Sequence, residues 1–128
     1  MPVEAIQRLV EFAFGHMRNN PDFVRIAGVE NTQRGKFIKK IQPVANAVVD
    51  LIGTIDEFLD RGARAKVLRS DIDAFQLYIS ILSMSYLHPS NCYTLSATHG
   101  RDVGDSDWLD TRRNHVVDLV LSHVQSGT

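Results

Sequence analysis

The sequence predicts an all-α fold, a single domain of about six to seven helices. Apolar residues recur at three- and four-residue spacings over most of its 128 residues, and helix-starting residues stand ahead of those runs. The irregular connector Arg61 to Arg69 alternates too little to make a strand. A 44% apolar content suits one domain with a sizeable core, and the length leaves little room for a second.

The first helix is predicted from Val3 to about Arg18, where Ile6, Leu9, Val10, Ala13, Phe14 and Met17 form an apolar stripe. Asn19-Asn20-Pro21 ends it and starts the next: Asn20 is expected to cap, Pro21 loses nothing by lacking an N–H, and Asp22 faces the positive end of the dipole. This short helix, to about Asn31, carries Glu30, Asn31 and Arg34, with Glu30 and Arg34 spaced to pair if the helical path continues. Such a group is either a structural network or the polar end of a pocket. A further short helical piece reaches Lys40.

Pro43 opens the next helix, in which Val48, Leu51, Ile52, Ile55, Phe58 and Leu59 form one broad stripe, and Gly62 is its expected stop. Ser70 with Asp73 resembles a capping box and opens a helix to about Leu87, interrupted at Pro89. Ser90-Asn91 restarts a turn through Ala97, and Asp105 or Ser106 caps the last helix.

Two helices are apolar nearly all round. In the first, Ile72, Phe75, Ile79, Leu82 and Tyr86 occupy one side while Leu77, Tyr78, Ile81 and Met84 cover much of the rest. In the last, Leu109, Val116 and Val120 lie on one side and Val117, Leu121 and Val124 on another. Such helices need cover on more than one side. A homodimer that pairs both with their copies, as a four-helix bundle with two-fold symmetry, is therefore expected. Phe75, Ile79, Leu82, Tyr86, Leu109, Val116, Val117, Val120, Leu121 and Val124 are its candidate interface.

Fourteen basic and fifteen acidic residues leave a net charge of -1, too balanced for a surface whose main task is gripping phosphates. The lone Cys92 excludes an internal disulfide and a thiolate zinc site within one chain, so a reducing cytoplasm is the expected setting. No apolar run is long enough to span a membrane. The five histidines lack ligand spacing, and only His115 and His123 share a helix face, too far apart for one ion. Phosphate loops and nucleophile elbows are missing too, so neither an enzyme, a metal nor a cofactor is expected. Phe12, His16, Asn31, Arg34, Phe58 and Tyr78 instead have the composition of a mostly apolar pocket with a few orienting groups.

The run Phe12-Ala13-Phe14-Gly15-His16-Met17-Arg18, then Asn20-Pro21-Asp22-Phe23-Val24-Arg25, Glu30-Asn31, Val67 to Asp73 and Ser90-Asn91-Cys92-Tyr93-Thr94-Leu95-Ser96 resembles the C-terminal domain of TetR-type transcriptional regulators. The resemblance covers nearly the whole chain in order. It implies a small-molecule effector held among the earlier helices and dimerisation through the last two long ones. It also implies operator binding by a three-helix unit of about fifty residues with a helix-turn-helix, expected to be absent from this chain. The alternative expectation is a helical homodimerisation module without a ligand.

Overall fold

The computed structural model describes residues 1–126, and within them the chain forms six α-helices and one 3-10 turn. They are α1 (Pro2–Asn19), α2 (Pro21–Thr32), the 3-10 turn Ile38–Lys40, α3 (Gln42–Arg64), α4 (Ala74–Ser90), α5 (Cys92–His99) and α6 (Ser106–Val124).

The α1 helix is the hub, packed against α3, α4 and α6. Its stripe explains this: Ile6, Val10, Phe14 and Met17 succeed one another at three- and four-residue steps and are all buried. Ile55 and Leu59 of α3, Leu77 and Ile81 of α4, and Val116, Val120 and Val124 of α6 close the core around them. Arg18 of α1 also donates to the Asp110 carboxylate at 2.7 Å and to Ser106 Oγ at 3.2 Å, fastening α1 to the start of α6. In contrast, α2 buries only Val24 and rests on α4, where the Tyr86 hydroxyl donates to the Val24 carbonyl at 3.4 Å.

Four local expectations are corrected. Asn20 makes no side-chain cap for α2; its amide turns back and donates to the His16 carbonyl at 2.8 Å. Gly62 does not stop α3, which runs on to Arg64; its missing side chain instead leaves room for Leu68. Asp73, rather than Ser70, caps α4, its carboxylate accepting from Gln76 N at 2.9 Å. Pro89 lies inside α4, in its last turn, so the helix continues to Ser90.

The expected cap at Asp105 is present, accepting from Trp108 N at 3.1 Å. The connector after α3 is tied to the end of α6 by an isolated bridge between Leu68 and Gln125, with Arg69 N donating to the Val124 carbonyl at 2.9 Å. Among the described residues no helix is long and apolar enough to cross a membrane.

Candidate functional site

A cavity of about 240 Å³ opens between the first four helices. The α1 helix supplies Leu9, Phe12, Ala13, His16 and Met17, whereas Phe23 comes from α2, Leu51 and Ile55 from α3, and Tyr78, Ile81 and Leu82 from α4. No charged side chain lines it, so its walls are hydrocarbon and aromatic apart from an imidazole, a phenol and a thioether. Small, mostly apolar concavities with few polar groups are what ligand sites look like.

His16 is the best placed polar group. Its ring stands 6.2 Å from that of Phe12, the planes inclined at 17°, and meets Phe23 edge-on at 4.9 Å. Asn20, one turn on, brings its amide nitrogen to 3.4 Å from His16 Nδ1. Thus the polar residue at the break between α1 and α2 orients the imidazole at the pocket wall.

Of the residues predicted to hold a ligand, Phe12, His16 and Tyr78 line this cavity. Asn31 and Arg34 are exposed and outside it. The cause is local: α2 stops at Thr32, Arg34 takes the left-handed backbone at φ 59°, and the pairing of Arg34 with Glu30 is not formed. Glu30 instead accepts from Phe37 N and Ile38 N, each at 2.8 Å, as a brace for the turn that follows. Phe58 is half-buried against the core, with the Arg61 guanidinium 4.9 Å above its ring, and does not reach the cavity. Sequence reasoning missed the apolar walls, Leu9, Ala13, Met17, Phe23, Leu51, Ile55 and Ile81 among them; their periodicity marks buried faces without saying which of them leaves a gap.

The ten candidate interface residues separate into groups. Val116, Val120 and Val124 are buried in the protomer's own core and present no surface. Leu109, Val117 and Leu121 are half-buried against that core, and Tyr86 is half-buried with its hydroxyl on α2. Leu82 faces the cavity. Phe75 and Ile79 of α4 are exposed, joined by Leu87 and by Leu119 of α6, which were not foreseen. An exposed apolar surface on α4 and α6 therefore remains, smaller and differently composed than expected.

A second polar group lies in the core between α1, α4 and α6. His88 is buried, stacked on Phe14 at 4.9 Å and next to Trp108 at 5.8 Å, and its Nε2 has no partner among the described residues. Burial, with a smaller contribution from the Arg112 charge, pushes its pKa down to about 4.

The all-helical fold with a pocket among its first four helices and two long helices beside it agrees with the family that the sequence identifies. The chain belongs to the family described as Tetracyclin repressor-like, C-terminal domain, which matches residues 2–120. Over 112 residues it is 30% identical to the HTH-type transcriptional repressor NicS of Pseudomonas putida, a match covering 84% of this chain and 53% of that repressor. The chain thus spans about half the length of the curated relative it matches.

Proposed function

We propose that this chain is the effector-sensing and dimerisation part of a TetR-like transcriptional repressor, with DNA bound by a helix-turn-helix unit elsewhere in the full-length protein. The observation that carries the reading is the shared use of α4. Tyr78, Ile81 and Leu82 line the cavity, while Phe75 and Ile79 of the same helix are exposed. An effector that prefers one placement of α4 shifts the dimer toward that placement, and so changes the spacing of the two DNA-binding units.

The test is a calorimetric screen of small metabolites against the domain and against Ala13→Trp, which fills the cavity. Sedimentation on both gives the oligomeric state. A dimer with a ligand that Ala13→Trp excludes supports the proposal. A dimer with no ligand favours a homodimerisation module instead, and a monomer overturns the dimeric reading.

A further inference from the structure

The chemistry of the pocket walls narrows what the effector is, on the assumption that the cavity is the effector site. The decisive contact is between Asn20 and His16. Asn20 Nδ2 lies 2.8 Å from the His16 carbonyl, and a carbonyl only accepts, so the amide nitrogen rather than its oxygen must stand there. That same nitrogen is 3.4 Å from His16 Nδ1 and has only protons to offer. In that contact Nδ1 is the accepting nitrogen, which puts the ring N–H on Nε2. His16 lines the cavity and no hydrogen bond to its Nε2 is formed among the described residues, so that N–H, with the Tyr78 hydroxyl, is what the walls have to donate.

The remaining walls add two constraints. Neither arginine nor lysine lines the cavity, so a carboxylate or phosphate entering it would lose water without gaining a countercharge. Phe12 and Phe23 both pack on the His16 imidazole and both line the cavity, so a ligand ring entering beside them meets aromatic walls.

We propose that the pocket takes a small, uncharged aromatic molecule bearing one hydrogen-bond acceptor, its ring against Phe12 and Phe23 and its acceptor on His16 Nε2–H. His16 selects for the acceptor, and the apolar walls select against charge.

The test titrates the domain with three probes of similar shape: acetophenone, which has an acceptor; ethylbenzene, which has none; and benzoate, which is an anion. Acetophenone is expected to bind roughly three- to tenfold tighter than ethylbenzene, the contribution of one net hydrogen bond, with benzoate the weakest. Because the Tyr78 hydroxyl in the same walls can also donate, the comparison is made in a Tyr78→Phe background: there His16→Leu should make the two neutral probes bind alike, and His16→Gln, which restores an N–H, should recover part of the preference. Circular dichroism on both variants checks that they fold. Equal binding of acetophenone and ethylbenzene to the unaltered domain, or benzoate binding tightest, overturns the inference while leaving the cavity a ligand site. Failure of all three, with a charged ligand emerging from the metabolite screen, overturns it as well. If neither the probes nor the screen yields a ligand, the effector-sensing reading falls with it.

Discussion

The imidazole of His88 on α4 lies 4.9 Å from the ring of Phe14 on α1, centroid to centroid, with the planes inclined at 24°. This pair joins two helices of the core through a group that can take up a proton. The fold holds the His88 pKa at about 4, below its ordinary 6.5, so the folded state refuses a proton that the unfolded chain accepts. The contribution to stability is complete above about pH 6.5 and is lost as pH falls toward 4. Urea unfolding at intervals from pH 7.5 to 4.5 should show the midpoint falling across that window, and His88→Leu should flatten the fall. Asp71 and Asp110, held below the usual carboxylate range by hydrogen bonds from Arg69 and Arg18, respond only in more acid solution. A midpoint independent of pH in the unaltered protein would contradict this account.

Gly62→Ala tests the close approach of α3 to the following connector. A Cβ at that position would collide with the Leu68 side chain, itself buried, while Val67 N and Leu68 N both donate to the Gly62 carbonyl. Neither side can retreat without breaking those bonds. The substitution should cost about 1–3 kcal/mol in denaturant unfolding, against the usual gain from replacing a helical glycine by alanine.

Asp73→Ala and Asp105→Ala each remove a helix cap that a backbone N–H needs. Losses of about 1 kcal/mol apiece are expected, additive in the double variant because the two caps share no partner. Ser70→Ala should be neutral by comparison, since Ser70 caps nothing. A larger loss at Ser70 than at Asp73 would reverse the assignment.

Phe75→Glu and Leu119→Glu place a charge on exposed apolar positions of α4 and α6, at 52% and 47% exposure. If this face joins two copies, either change should convert a dimer to a monomer in light scattering while leaving the helical circular dichroism signal intact. A dimer that survives both changes must use another surface.

Much of the helical framework is legible locally. The buried stripe of α1 and the cap at Asp105 follow from spacing and residue type alone. The start of α4 is not legible in this way, because Ser70 and Asp73 are equally good caps in isolation. What decides between them is distant: the Leu68–Gln125 bridge and the Arg69 N bond to Val124 anchor the chain just ahead of Ser70 to the end of α6. Gly62 misled for the same reason, since a glycine that admits a neighbour looks in sequence like one that ends a helix. At the pocket, Phe12, His16 and Tyr78 were recognisable as aromatic and polar groups, but Leu51 and Ile55 became its walls only through the placement of α3. Arg34 stands outside it because α2 ends at Thr32 and both Arg34 and Gly35 take the left-handed backbone.

The brace made by Glu30 has a consequence for the chain's exposure to proteases. Residues 33–41 fully bury no side chain, and the Glu30 carboxylate ties them to the end of α2 by accepting from Phe37 N and Ile38 N. Arg34, Lys36, Lys39 and Lys40 crowd this stretch with tryptic bonds. A protease has to draw this stretch out into an extended form to cleave it, and the two Glu30 bonds are among those it must break.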